Sequence, residues 1–425
     1  MTISELYNKF LECNFVSTDT RNVSDGELFF ALKGPNFDAN KFAKQAIEKG
    51  AKYAVVDDVN YAESEQYILV EDTLVALQQL ANHHRKQFDI PIIGITGSNG
   101  KTTTKELMKA VLEQKYETHA TGGNFNNHIG LPLTLLSMAK STQIAILEMG
   151  DNKIGDITEL CLIAEPTHGI ITNIGKDHLE GFGSFEANIR AKSELFNYLL
   201  QNEGLPLINS EDPILKNMAK RFPSPVFYGA EGDYSYMKYV IANPFISYMT
   251  SEEEIIETKL IGRYNFENIQ TAVCVGKIFE VEASKMHEAI ADYEPSNNRS
   301  QLVMKGSNTI ILDAYNANPS SVEKALESLQ ETETKLQKVA VLGDMLELGA
   351  TSDSEHKAMI DLAQKLGLEA YFCGVEFYKH NKSDGKFFST KEELIKHIAS
   401  APITNSLILL KGSRGIALET LLEAF

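Results

Sequence analysis

Residues 92–106 read IIGITGSNGKTTTKE, and this stretch decides the fold. Ile92–Thr96 is a short apolar and β-branched run, the signature of a buried strand. It runs into Gly97, Ser98, Asn99 and Gly100, then Lys101, Thr102 and Thr103, and a helical pattern follows over Thr102–Gln114. Glycines let backbone N–H groups turn toward a phosphate, and the helix N-terminus adds a positive dipole. Lys101 supplies a point charge, and the Thr102 hydroxyl suits magnesium. The common spacing G-x-x-x-x-G-K-[ST] would put its first glycine at position 95, which is Ile95 here. The stretch is therefore a variant phosphate loop for ATP or GTP.

Outward from this loop, strand and helix patterns alternate, which predicts a largely parallel sheet covered by helices. Further strands are expected at Gln143–Glu148, His168–Thr172 and Leu205–Asn209, with a helix over Ser184–Leu200. Residues 231–261 read as short antiparallel strands. Residues 1–88 form a small α/β unit with strands at Glu27–Leu32, Lys52–Asp57 and Tyr67–Val70, and helices at Ala39–Lys49 and Thr73–Gln87. The polar stretch Glu294–Ser300 marks a second boundary. Beyond it, strands are expected at Thr309–Asp313, Lys338–Leu342, Ala370–Cys373 and Ser406–Leu410. The helices there are Ser320–Leu329, Ser354–Leu366, Lys391–Ser400 and Ile416–Ala424. The expected architecture is α/β in three domains: a small N-terminal domain (1–88), a central parallel-sheet ATP-binding domain (89–297) and a C-terminal domain like a dinucleotide fold (298–425).

The chain has 425 residues, with 40 Lys plus Arg against 58 Asp plus Glu, a formal charge of −18. That balance argues against general binding to nucleic acid or to anionic membranes. The four cysteines, Cys13, Cys161, Cys274 and Cys373, are far apart and form no CxxC pair. This disfavours a zinc ribbon or a disulfide framework. No apolar stretch approaches the roughly 18–20 residues of a spanning helix, and the first residues lack a secretory pattern. A soluble cytoplasmic protein is expected.

Several polar groups sit where strands end, the usual place for ligands in such sheets. Glu148 closes an apolar strand beside the phosphate loop and is placed to reach a nucleotide-bound metal. His178 follows another strand and is a candidate metal or phosphate ligand. Lys192 lies seven residues after Phe185, on the apolar stripe of Phe185, Ile189, Phe196 and Leu199, so a solvated role fits it poorly. It is a candidate base, phosphate ligand or amine that takes up carbon dioxide as a carbamate. Asn124, Asn126 and Asn127 offer uncharged donors and acceptors suited to sugar or peptide groups. Asp313, Gly343-Asp344 and Lys411–Gly415 end three C-terminal strands.

Together these motifs resemble the Mur ligase family over nearly the whole chain. The loop TGSNGKTT (96–103) is shared family-wide. TGGNFNNHIGLP (121–132), DAYNANP (313–319) and GDMLELG (343–349) followed by His356 resemble the branch that adds D-alanyl-D-alanine to UDP-N-acetylmuramoyl-tripeptide. Asp19-Thr20-Arg21, with GELFFALKG (26–34) and FDAN (37–40), resembles the family's uridine-nucleotide-binding domain. The resemblance implies an ATP-dependent peptide ligase of peptidoglycan synthesis, cytoplasmic and monomeric, with two magnesium ions. Lys101 would hold the β/γ-phosphates, and Thr102, Glu148, His178 and a carbamylated Lys192 would hold the metals. Gly97–Thr103 would wrap the phosphates, Asn265 and Asn268 would lie on the adenine side, and Arg299 and Asp313 would reach ATP from the third domain. Thr20, Arg21, Asn124, Asn126 and Asn127 would face the UDP-sugar. Tyr315 and Asn316 would lie where ATP meets the dipeptide. The chain departs from the family pattern at Leu312 and Asn298, where a second acid and a glycine are common.

Two readings compete. One is another ligase of the same chemistry, either the step adding the third amino acid or a folylpolyglutamate synthase-like enzyme. The Asn-rich loop argues against the first and the uridine-type unit against the second. The other is a nucleotide-dependent switch, which needs the phosphate loop but not three domains with polar strand tips.

Overall fold

A computed structural model describes residues 1–177, 179–381 and 386–425. It holds three α/β units in chain order. The first is a four-stranded parallel sheet in the order Val16–Ser17, Leu28–Phe30, Tyr53–Val56, Tyr67–Leu69. The segment Ala39–Lys49 is not one helix. Ala39–Phe42 is a tight 3-10 turn, and the α-helix covers only Ala43–Glu48. Asn40 is the reason: its fully buried amide donates to both Asp38 and Asp57, which draws the first turn inward. The helix Ile3–Leu11 lies outside the sequence expectations although its start is encoded by a capping box, Thr2 with Glu5.

The central sheet is six-stranded and wholly parallel, in the order Val226–Tyr228, Leu205–Asn209, His168–Ile171, Ile92–Thr96, Ile144–Glu148, Thr118–Ala120. Ile92–Thr96 lies inside it with all five residues buried. Apolar side chains pack on both faces, which is why this strand reads as a continuous apolar run. A three-stranded antiparallel sheet follows, Lys238–Ala242, Phe245–Met249 and Ile255–Ile261, as the sequence suggests. Two helices, Asn265–Ile278 and Ala283–Asp292, then pack against the phosphate-loop helix Lys101–Leu112.

The C-terminal sheet runs Gln301–Lys305, Asn308–Leu312, Ser406–Lys411, Gln337–Gly343, Glu369–Cys373, Phe387–Phe388. Its first pair is antiparallel and the rest are parallel. The edge strand Gln301–Lys305 is absent from the sequence reading. The expected helix Ile416–Ala424 is instead two 3-10 segments, Arg414–Ile416 and Leu418–Ala424. Ala417 between them has φ 55°, a left-handed conformation that breaks a regular helix. Among the described residues, no helix is long and apolar enough to cross a membrane.

Candidate functional site

The strand Ile92–Thr96 and the helix Lys101–Leu112 are joined by four residues, two of which must be glycine. Gly97 has φ 136°, and a Cβ there would overlap the Thr172 hydroxyl. Gly100 has φ 82°, and its Cβ would lie 2.5 Å from Asn268 Oδ1. The loop is clamped by the neighbouring strand end. Thr172 Oγ1 donates to the Asn99 carbonyl at 2.7 Å, and Asn173 both accepts from the Asn99 N–H at 3.1 Å and donates to its carbonyl at 3.0 Å. Lys101 Nζ donates to the Gly97 carbonyl at the top of the loop. Burial lowers the Lys101 pKa, and the positive charge of Lys192 adds to that.

Glu148 is nearly fully buried and joins two motifs. One carboxylate oxygen accepts from Thr102 Oγ1 at 2.9 Å, and the other accepts from Asn126 Nδ2 at 2.9 Å. The phosphate loop and the Asn-rich segment thus meet on one carboxylate. Asn127 is committed differently: its side-chain oxygen accepts the N–H groups of Ile129 and Gly130 at the start of the short helix Gly130–Leu136. Asn124, Asn126 and Asn127 all line the cleft described below.

Lys192 is fully buried in the helix Phe185–Gln201. Its Nζ lies 3.1 Å from both oxygens of Asp151 and 3.2 Å from Asp177 Oδ2, with the Phe182 ring centroid at 5.2 Å. Asp177 also accepts from Asn188 Nδ2 at 2.6 Å and from the Ser98 hydroxyl. Burial works against its charge, but Lys192 and Lys101 outweigh it and hold its pKa below the usual carboxylate range. Neither Asp151 nor Asp177 emerges from the sequence as a site residue. The available signal is position alone, since both follow strand ends, three and six residues beyond Glu148 and Ile171 respectively.

Asn265 and Asn268 are buried at the start of their helix. Asn268 accepts from Thr104 Oγ1 at 2.9 Å and donates to Asn265, which donates to the Ile261 carbonyl at 2.7 Å. From the C-terminal unit, the Arg299 guanidinium stacks over Tyr315 at 3.8 Å. Asp313 accepts from the buried Lys411 at 2.6 Å. Asn318 donates to Asn99 Oδ1 at 2.9 Å, and Ser320 Oγ accepts from the Lys176 N–H at 3.0 Å, so the third unit rests directly on the phosphate loop and its neighbour.

Many of these residues line one polar cleft of about 580 Å³ between the central and C-terminal units, whereas Gly97, Asp177 and the buried Lys192 are not among its lining residues. It gathers Ser98–Thr103, Glu148, Asn265, Asn268, Arg299, Asp313, Tyr315 and Asn316. Thr20 and Arg21 are not among its lining residues. Arg21 is exposed in the N-terminal unit and pairs with Asp19 at 2.8 Å. His178 lies outside the described residues. Among the described residues, no three His, Cys, Asp or Glu side chains converge on a metal position. The Thr102 hydroxyl and Glu148 carboxylate do form a buried pair of oxygen donors. That suits magnesium, which keeps most of its ligands as water and phosphate oxygens.

Three family models match the chain in order: the Mur ligase family catalytic domain over residues 12–85, the Mur ligase middle domain over 95–276, and the Mur ligase glutamate ligase domain over 298–414. The UDP-N-acetylmuramoyl-tripeptide--D-alanyl-D-alanine ligase of Bacillus subtilis is 36% identical, covering 96% of this chain and 92% of the relative. The enzyme of that name from Escherichia coli is 30% identical over 99% and 95% of the two chains. Among solved structures, MurF from Acinetobacter baumannii superimposes with a TM-score of 0.87 at 29% identity, covering 99% and 98%. MurF from Thermotoga maritima in complex with ADP gives 0.86 at 28%, covering 98% and 97%. Domain models in the same order, full-length relatives and a shared three-domain α/β architecture agree: the chain belongs to the Mur ligase family.

Proposed function

We propose that this protein joins D-alanyl-D-alanine to UDP-N-acetylmuramoyl-tripeptide at the expense of ATP, giving the pentapeptide precursor of peptidoglycan. In this reading it acts as a cytoplasmic monomer, with domains at 1–88, 89–297 and 298–425. The observation that carries it is the single cleft in which the phosphate loop, the Glu148 carboxylate, and Arg299, Asp313 and Tyr315 of the third unit face one another. The full-length relatives bear the name of that reaction.

A carboxylate is a poor electrophile, so ATP first phosphorylates it. The terminal carboxylate oxygen of the tripeptide bonds to the γ-phosphorus as the bond to the β-phosphate oxygen breaks, and ADP leaves. The dipeptide amine then attacks the acyl carbon, loses a proton, and expels phosphate from a tetrahedral intermediate. Lys101 and the loop Gly97–Thr103 hold the phosphates and spread the transferring charge, with the N–H groups from Gly100 onward as donors, since those of Ser98 and Asn99 already bond Asn173. Asn265 and Asn268 lie on the adenine side, and Arg299 and Asp313 reach the nucleotide from the third domain. Thr20, Arg21, Asn124, Asn126 and Asn127 serve the UDP-sugar, and Tyr315 and Asn316 the junction with the dipeptide. Thr102, Glu148, His178 and a carbamylated Lys192 would hold two magnesium ions, whose charge would neutralise the phosphates.

The carbamate forms when the neutral Lys192 amine adds to carbon dioxide and releases a proton. That would put a new carboxylate beside Asp151 and Asp177, which both lie close to the Lys192 amine. Three acids in one buried spot need cations, and divalent metal with oxygen ligands supplies them. Closure of the third unit excludes water that would hydrolyse the acyl phosphate.

The test is phosphate release from ATP and magnesium with the UDP-tripeptide, with and without D-alanyl-D-alanine. Release that needs both substrates, with the pentapeptide mass appearing, supports the reading. Silence with both the lysine and diaminopimelate tripeptides moves the substrate to another ligase of the family.

A further inference from the structure

The segment Gly343–Gly349 follows the C-terminal strand Gln337–Gly343, and the reaction above assigns it nothing. Three of its hydrogen bonds join it to the neighbouring loop and helix. The Ser413 N–H donates to the Asp344 carbonyl at 3.1 Å, and the Leu346 N–H donates to Ser413 Oγ at 2.9 Å. Between them, the Met345 N–H donates to Nε2 of His356 at 3.0 Å.

His356 is fully buried in the helix Ser352–Lys365. Its Nδ1 lies 2.7 Å from the Ser352 carbonyl, which can only accept, so Nδ1 carries the proton and Nε2 is left to accept. The groups facing the ring are Asp344, with an oxygen 3.8 Å from Nε2, then Glu376, His380, and the Phe377 ring packed edge-on at 4.6 Å. Asp344 is itself committed to the N–H groups of Glu376 and Phe377, at 2.9 and 3.0 Å. Burial lowers the His356 pKa against the pull of the Ser352 carbonyl and these acids, and Nε2, which accepts the Met345 N–H, carries no proton. Both nitrogens are thus spent on backbone, one on the helix and one on the loop.

Two residues of the loop, Leu346 and Glu347, line the cleft. Leu346 is 46% exposed and abuts Gly415. Glu347 has φ 64°, and its carbonyl accepts the Glu180 N–H of the central unit at 3.1 Å. Arg414, on the adjoining loop, lines the same cleft and is paired with Glu419 at 2.7 Å. A carboxylate, an exposed leucine and a guanidinium match a short zwitterionic peptide with small apolar side chains: ammonium, methyl groups and carboxylate.

We propose that His356 is the positioning residue of the amine-acceptor side of the cleft, holding the Met345 N–H so that Leu346 and Glu347 meet the incoming dipeptide. The inference rests on the ligase reading and extends it. The experiment is steady-state kinetics with each of the three substrates varied in turn. His356→Leu is expected to raise KM for D-alanyl-D-alanine by at least ~10-fold, while KM for ATP and for the UDP-tripeptide moves less than about twofold. His356→Gln, whose amide oxygen can accept the Met345 N–H, recovers most of that loss. Leu346→Ala changes an exposed side chain that the fold does not need, so it serves where His356→Leu fails to fold. It is expected to raise the dipeptide KM several-fold. All three KM values rising together, His356→Gln doing no better than His356→Leu, or an unmoved dipeptide KM in Leu346→Ala would overturn the proposal. A wild-type protein that fails to ligate the dipeptide at all would instead overturn the ligase reading beneath it.

Discussion

Lys192 shows what a single residue can disclose and conceal. Its place on an apolar helix stripe is visible in the sequence, and the structure buries it completely. Its partners are not visible, because Asp151 and Asp177 come from two other strand ends. Sequence spacing tells which face a residue takes, not which side chains a parallel sheet brings to its tip. Glu148 was readable for the opposite reason: it ends an apolar strand next to the phosphate loop, where a parallel sheet leaves little choice of neighbour. The buried amine permits a sharp test. Lys192→Ala leaves two buried carboxylates facing each other, and turnover should fall by about 100-fold or more, or ~2.7 kcal/mol of transition-state stabilisation. If the working form is the carbamate, short carboxylic acids such as acetate should restore part of the rate. Restoration by small alkylamines and not by acids would assign the work to the ammonium form.

Elements with a strong local pattern matched the structure closely. Ile92–Thr96 and Leu205–Asn209 are strands with the expected bounds, because each is a short, mostly apolar segment buried within a two-faced sheet. The helix Asn265–Ile278 is not legible because Phe266 and all of Asn268–Gly276 are buried, so it shows no polar face and no stripe. Gln301–Lys305 is not legible because it is a short edge strand whose apolar Leu302 and Met304 are exposed, so apolar and polar residues do not alternate along it. His168, at the start of its strand, carries a prediction at this scale. It packs on Phe279 at 5.2 Å and bonds Thr167 Oγ1 at 2.8 Å, and burial lowers its pKa from 6.5 to about 4. Between those values the unfolded chain binds a proton that the folded chain refuses. Stability should therefore fall as pH drops from about 6.5 to 4 and level off below. His84, His119, His287 and His356 are lowered by burial as well and act in the same direction. Urea midpoints at pH 7.5 and 5 should separate clearly for the wild type, and by less for His168→Gln. An equal gap in the variant would remove His168 from the account.

At the scale of the molecule, the three-domain order was legible from alternating patterns and from the polar break at Glu294–Ser300. What was not legible is how the third unit docks. Asn318 reaches Asn99, Ser320 meets Lys176, and Lys176 pairs with Glu355 at 2.8 Å. These contacts are polar and several are solvent-accessible, which suits an interface that opens and closes. Backbone strain gathers at the junction, where Asn297, Asn298 and Ser300 all have positive φ on either side of Arg299. The residues from Asn297 to Ser300 thus join the units and aim Arg299 at Tyr315 in the cleft. In such an arrangement ATP, the carboxylate and the amine meet only when both units are in place. In the proposed reaction the carboxylate is activated by becoming an acyl phosphate in that cleft. It is tested most directly by labelling the terminal carboxylate of the UDP-tripeptide with oxygen-18 and weighing the phosphate released during ligation. One labelled oxygen should be transferred to each phosphate formed. Phosphate free of label, with the pentapeptide made at the normal rate, would contradict it.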